Sequence, residues 1–521
     1  MKKVFSIFIV FVFLLGGCVY PQQEEEIVEI IVTPEPTEAV ILPDKGGEIR
    51  LSVRAPKTLN PLLNEDQTVD NLLKLVFEPL AVLNDKQKPV SNLAEFSFSS
   101  DGMSAVVTLK NAKWSDSAPI TSEDIAFSIQ TLKNAPSEAI YANAVSNVDN
   151  CEPIDSRSAR INFKRHYAAQ AYSLCFPIIP QHYYEGETGE NFDKNLKPLG
   201  NGLYVVEKYE IMKSVKLTAN DLSFREKPYI SEITALVIPD KETELHAFEQ
   251  SIIDAVAAPL ANWGKYHGLR DIHVTEYDTT NFDFIGFNFN NSLFRDKNIR
   301  VAVAHCLNVE EIIDGVYLNH ASRASAPINA ESWLYEPDVA QYEFDLEEAG
   351  KLIGESEFSK ISFSILVNSE NDERSNIAEI LSKNLESLNV KTEIISVGFD
   401  EFQEKLEVRD FDLFLGGYNL STAPDLTFAF HSSKIGVGGN YMGYSDYLMD
   451  GLLEQAAGAV GDGNFLRAQS AVQKWVAEEL PVISLVFRKS ALLTDTNIRG
   501  EITPVLNNIF FNMNDWFINS L

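Results

Sequence analysis

The chain has 521 residues, with 75 acidic against 43 basic side chains and a formal charge of −32. That charge excludes nucleic acid as a partner, because phosphate binding needs a basic face, and it repels anionic lipid headgroups. The length excludes one compact core and points to two or three lobes.

Met1-Lys2-Lys3 opens the chain with positive charge, and Val4 to Leu15 is almost purely apolar. That run is far short of the ~20 residues a membrane-spanning helix needs. A basic start, an apolar core and Gly16-Gly17 before Cys18 are the parts of a secretory signal. Leu15-Gly16-Gly17-Cys18 resembles a bacterial lipobox. The resemblance implies that residues 1–17 are removed and that Cys18 becomes an acylated first residue, anchored to the extracytoplasmic face of a membrane. Residues 18–45 are acidic and proline-bearing, with Glu24-Glu25-Glu26 and Pro34-Glu35-Pro36. They read as an extended tether, with Ile27 to Val32 a candidate short strand.

The body alternates between two hydrophobic periods. Glu48 to Val53 reads as a strand and Thr68 to Leu80 as a helix. Ala105 to Leu109 is a strand, and Thr121 caps a helix over Ile125 to Leu132 with acids in its first turn. Val215 to Thr218 and Ile233 to Ile238 are strands. Arg300 to Tyr317 and Leu346 to Ile353 are helices. Ile361 to Val367, Asn376 to Leu388 and Val390 to Ile395 read strand–helix–strand, a crossover unit on a parallel sheet. Phe411 to Leu415 is a further strand.

Catalytic and metal constellations do not show in the sequence. The eight histidines are scattered, and none forms a zinc-protease pair. No Gly-x-Ser-x-Gly elbow is present, and Gly436-Val437-Gly438-Gly439 lacks the lysine of a phosphate loop. Gly461-Asp462-Gly463-Asn464 lacks the alternating acids of a calcium loop and reads as a helix break. No enzyme activity, cofactor or metal is expected. Besides Cys18 there are three cysteines. Cys306 lies in an apolar helical pattern and reads as core. Cys151 and Cys175 either pair or stay free, and the sequence leaves both open.

Several segments in order resemble the family 5 extracellular solute-binding proteins of ABC importers, the oligopeptide- and dipeptide-binding lipoproteins. Thr58-Leu59-Asn60-Pro61 resembles the family's opening turn, and Val76-Phe77-Glu78-Pro79-Leu80 its following helix end. Leu109-Lys110-Asn111-Ala112-Lys113-Trp114-Ser115-Asp116 runs without a gap into Ile120-Thr121-Ser122-Glu123-Asp124-Ile125-Ala126-Phe127-Ser128. Pro198-Leu199-Gly200-Asn201-Gly202-Leu203-Tyr204, Phe294-Arg295-Asp296-Lys297-Asn298-Ile299-Arg300 and Asn440-Tyr441-Met442-Gly443-Tyr444-Ser445 follow. Ser117 stands where the family has glycine, so that turn cannot rely on glycine's freedom at positive φ. Trp114 sits in a motif shared whatever the ligand, which makes it scaffold and not a ligand stacker.

The resemblance implies a periplasmic-binding-protein-like α/β fold, with two lobes hinged around a cleft and a third lobe inserted. Residues 46–77, 177–285 and 484–521 would form lobe I, 78–176 the inserted lobe II and 286–483 lobe III. The implied function is capture of a peptide by hinge closure and delivery to an ABC permease and its ATPase, by a monomer. An oligosaccharide, a metal chelate or a peptide-sensing role are the alternatives. The implied ligand contacts are Glu65 and Asp66 after the Asn-Pro turn, with Tyr141, Phe284, Tyr418, Asn419 and Ser421. In oligopeptide binders the loop after the aromatic carries an aspartate for the peptide's amino group. Ser421 or Thr422 falls at that place here, so Asp425 or another acid takes over, or the ligand has no free α-amino group.

Overall fold

The computed structural model describes residues 43–185, 189, 192–259 and 263–519. Cys18, the candidate strand Ile27 to Val32 and all of the tether up to residue 42 lie outside the described residues. Among the described residues no helix is long and apolar enough to cross a membrane.

Three larger sheets carry the fold. In the first, Glu48–Val53 pairs parallel with Glu232–Val237, which continues antiparallel to Ser214–Ala219 and Tyr204–Glu210. The alternation read from the sequence is the burial pattern: Ile49, Leu51 and Val53 enter the core, while Arg50 turns away to pair with Asp254. The second sheet is antiparallel, in the order Ala94–Phe98, Ser104–Leu109, Ser158–Phe163 and Val148–Pro153. The helix Ser122–Lys133 packs on it. One apolar core joins the two sheets and runs from Ile49 to Trp516.

The helix Ser122–Lys133 starts as its capping pattern predicts, and its Asp124 does more than cap. The buried Asp124 carboxylate accepts from Thr121 N (2.8 Å), Trp114 Nε1 (3.2 Å) and Gln181 N (2.8 Å). Trp114 is wholly buried, the scaffold place expected of it. Ser117 takes the glycine-like conformation at φ 77, with Ala118 N donating to Asp116 to close the turn. Gly202 has a different reason to be glycine. A Cβ there would lie 2.5 Å from the Leu75 carbonyl oxygen and 2.7 Å from the Val76 carbonyl carbon.

The third sheet runs Ala255–Pro259, Val482–Asp495, Ile272–Phe287, Leu413–Asn419, Ser362–Asn368 and Lys391–Val397, with Ala321–Arg323 on the side of Val482–Asp495. Ser362–Asn368 and Lys391–Val397 are parallel and joined by the helix Asp372–Ser387, as the crossover pattern predicts. This sheet is buried on both faces. Ile285, Phe287, Leu413 and Leu415 enter one core, while Phe282, Phe284 and Phe414 enter another. Near-continuous apolar strands follow from that double burial.

Two helices differ from the sequence reading. The helix expected over Thr68 to Leu80 is Gln67–Leu73; tight turns from Leu75 N to the Leu72 carbonyl and Val76 N to the Leu73 carbonyl follow it, and Pro79 disfavours a return to helix at Glu78. The helix expected over Arg300 to Tyr317 is two, Lys297–His305 and Val309–Gly315. Asn308 breaks it by turning its side chain to accept from Glu311 N, the start of a new helix. Cys151 and Cys175 are free thiols, and burial pushes each up to about 12. Cys306 is fully buried, as its pattern indicates.

Candidate functional site

A cavity of about 940 Å³ opens among segments from all three sheet regions. Tyr141 and Tyr172 come from the region of the second sheet, Asp70 and Arg225 flank the first, and Tyr277, Ser421 and Asp425 belong to the third. Its floor is built from the short helix Gln67–Leu73. Asp70 is 2 % exposed and holds Lys74 Nζ at 2.5 Å, one turn on. Burial, with the Asp70 carboxylate beside it, pushes the Tyr141 phenol well above its ordinary value, so Tyr141 is a neutral hydroxyl. Glu78 is also buried. It accepts from Asn92 Nδ2 at 2.8 Å and pairs with Arg225 at 3.3 Å. Trp333 Nε1 donates to the Tyr172 hydroxyl, which donates to the Gln87 carbonyl.

Charge in the wall is lopsided. Asp70, Glu78, Asp85, Glu276, Asp278, Glu331 and Asp425 face three cations, Lys74, Arg165 and Arg225. Asp70 and Glu78 are compensated internally. Asp425 is exposed and makes no ion pair among the described residues, and its Oδ1 accepts only from Thr427 N at 2.9 Å.

Of the residues singled out from the sequence, Tyr141, Ser421 and Asp425 meet at this cavity. The other five lie elsewhere in the wall-forming elements. Glu65 is tied to Lys57 at 2.9 Å. Asp66 is the N-cap of the floor helix, accepting from Thr68 N at 2.8 Å and Val69 N at 3.1 Å. Phe284 is core, with the Tyr418 ring 4.7 Å away. The Tyr418 hydroxyl donates to the Gly439 carbonyl at 2.7 Å, and Asn419 accepts from Thr280 at 2.8 Å. The sequence reading missed Asp70, Lys74, Glu78 and Arg225. An acid placed between Val69 and Leu72 on an apolar stripe, with a lysine four residues on, is the signal that marks Asp70.

Beneath the strand of Tyr418 lies a buried charge cluster. Asp283 accepts from Arg374 at 2.6 Å, Arg488 at 2.5 Å and the Tyr317 hydroxyl at 2.7 Å. It is structural and does not face the cavity.

The matched family model is "Bacterial extracellular solute-binding proteins, family 5 Middle", over residues 88–437. The chain belongs to that family. The family 5 protein AppA of Bacillus subtilis, an oligopeptide-binding protein, is 24 % identical over 487 residues, covering 88 % of this chain and 89 % of AppA. The structure of AppA in complex with a nonapeptide superimposes with a TM-score of 0.62 over 92 % of this chain and all of the AppA chain, at 22 % identity. CtaP of Listeria monocytogenes, an ABC transporter substrate-binding protein, gives 0.77 at 22 % identity over 92 % of this chain and 100 % of its own. NikZ of Campylobacter jejuni, solved with Ni(L-His), gives 0.67 at 20 % identity over 91 % and 100 %. The fold is therefore that of the periplasmic binding proteins of the family 5 type, and the chain is a solute-binding protein.

Proposed function

We propose that this family 5 protein is the lipid-anchored, extracytoplasmic receptor of an ABC importer and that its solute is a peptide. The cavity carries the reading. Its volume of about 940 Å³ sits near the top of the ~300–1,000 Å³ range of ligand sites. Its wall is drawn from all three sheet regions, so a bound chain touches all of them at once. Lobes at 46–77 with 177–285 and 484–521, at 78–176 and at 286–483 close on it, because only the closed form makes every contact. Peptide side chains vary, so the grip falls on backbone groups, with wet pockets for the rest. The loaded receptor docks as a monomer on the permease, and an ATPase drives release.

Native mass spectrometry of protein purified without denaturation should show retained peptide, and added peptide should raise the melting temperature by linkage. A retained sugar or chelate, with no peptide shifting the melting temperature, overturns the peptide reading. Anchoring rests on Cys18. Cys18→Ala should leave the chain unprocessed or release it from membranes. Wild-type protein recovered away from membranes, still carrying residues 1–17, contradicts the anchor.

A further inference from the structure

At one edge of the cavity wall, on the face of the long strand Ile272–Phe287 that carries Glu276, two histidines converge. His267 follows the turn Gly264–Tyr266, and His320 immediately precedes the strand Ala321–Arg323. His267 Nε2 lies 3.7 Å from Glu276 Oε1, and His320 Nδ1 lies 3.5 Å from the same oxygen. The three ligand atoms all fall within 4.8 Å of one another. In a tetrahedral site with bonds of ~2.0–2.1 Å, neighbouring ligand atoms sit roughly 3.3–3.4 Å apart. Two edges of that triangle are nearly in place, and His267, being exposed, is free to close the third.

We propose that His267, Glu276 and His320 bind a divalent transition-metal ion of the zinc class.

A second feature points the same way. His320 is only 8 % exposed, and its Nδ1 makes no hydrogen bond of good geometry, with Glu276 Oε1 at 3.5 Å its charged neighbour. A buried polar atom left unpaired is uncommon and calls for a partner. Trp263 packs on His320 with centroids 3.7 Å apart and holds that ring, while the exposed His267 ring, stacked within 8° of parallel at 5.5 Å, has to turn for its Nε2 to face the same ion. The carboxylate is oriented too. Lys489 Nζ stands 3.5 Å from Oε2, on the opposite oxygen, which leaves Oε1 to the histidines. A ligating carboxylate steadied from outside by a second polar group is the usual arrangement around metals. Lys489 N also donates to the His320 carbonyl at 3.0 Å and fixes that segment to the sheet.

Two imidazoles and one carboxylate suit zinc, nickel, cobalt or copper, whereas calcium and magnesium prefer an all-oxygen set. Three protein ligands leave a position for water or for a donor atom of a passing solute. The site also joins two segments across the pair of long strands. It lies beside the irregularity where Asp278 pairs with Lys489 but Phe282 next pairs with Phe487. An ion there staples the chain next to that bend.

The test uses the untagged full chain, stripped of metal and titrated with cobalt(II). One equivalent should bind with visible d–d bands of low coordination number, and zinc should displace it. His267→Asn, at an exposed position that leaves the fold intact, should weaken cobalt binding by more than the ~10–100-fold that outer partners are worth. His320→Ala and Glu276→Gln should do the same, with circular dichroism reporting that each variant is folded. Cobalt binding unchanged in folded His267→Asn or His320→Ala overturns the site, as does the absence of any stoichiometric binding. The outcome is independent of the peptide reading, which metal-free protein tests separately.

Discussion

Asp283→Ala should destabilise the protein by about 3–5 kcal/mol, among the largest losses available to a single substitution here. Asp283 is 2 % exposed and, among the described residues, carries the only negative charge in direct contact with Arg374. Arg488 keeps a weaker partner in Glu373, at 3.7 Å, and the Asn371 side chain at 3.3 Å. Removing the carboxylate strands one guanidinium, half-strands another and leaves the buried Tyr317 hydroxyl without its acceptor. Desolvated charge without a partner is what makes the loss large. The exposed pair Lys351–Glu348 has the same kind of contact at 3.0 Å, yet its loss should fall within ~0–1 kcal/mol because water replaces the partner. The cluster is also hemmed in sterically, since a Cβ on Gly417 would lie 2.1 Å from Arg374 Nη2. Urea denaturation of Asp283→Ala beside Glu348→Ala reads the contrast. A loss below ~1 kcal/mol for Asp283→Ala shows that the cluster is solvated in solution. Replacing Asp283, Arg374 and Arg488 together by apolar residues of similar size should recover much of the stability, because the penalty lies in the unpaired charge.

That cluster also shows what the sequence conceals. The strand Glu48–Val53 and the crossover unit around Asp372–Ser387 are legible because alternation and capping are local rules. A strand needs only its own side chains to show its period. Asp283, Arg374 and Arg488 lie in separate elements, and nothing local marks them as partners. The cavity is hidden for the same reason. Asp70, Arg225 and Asp425 face one space only after three sheet regions have packed. Acids near turns add a further ambiguity. Asp66 has the look of a ligand-facing carboxylate, and it also has the look of a helix cap. The structure has it accept from Thr68 N and Val69 N. Asn308 starts a new helix for a local reason that is visible in the sequence, but a periodic apolar stripe running past it masks the break.

On the proposed peptide reading, the identity of the amino anchor would decide which peptides the cavity takes. Ser421 occupies the stretch where oligopeptide binders are expected to place their carboxylate, and its hydroxyl already accepts from Ala423 N at 3.2 Å. A hydroxyl can share a hydrogen bond with an ammonium but cannot neutralise it. Among the other acids, Asp70 is matched by Lys74 and Glu78 by Arg225, while Glu65 is tied to Lys57. Asp278 accepts from Ser322 at 3.0 Å. Glu276 is paired with Lys489 and Glu331 with Lys86, so Asp85 and Asp425 are the wall acids without an ion pair or side-chain donor among the described residues, and of the two Asp425, with a spare oxygen, lies in the same loop as Ser421. A free α-amino group held there makes a charge-assisted bond worth about 1.5–3 kcal/mol. Each 1.4 kcal/mol is tenfold in affinity, so acetylating the amine of one peptide should weaken binding by roughly ten- to a hundredfold. Asp425→Asn should remove that preference while leaving the acetylated peptide nearly unchanged. Asp278→Asn should preserve it. Calorimetry on the matched peptides with wild type and both variants separates the cases. Equal affinity of free and acetylated peptides for wild type would mean that no carboxylate in this cavity reads the terminus. A preference lost in Asp278→Asn but kept in Asp425→Asn would move the anchor onto the long strand Ile272–Phe287.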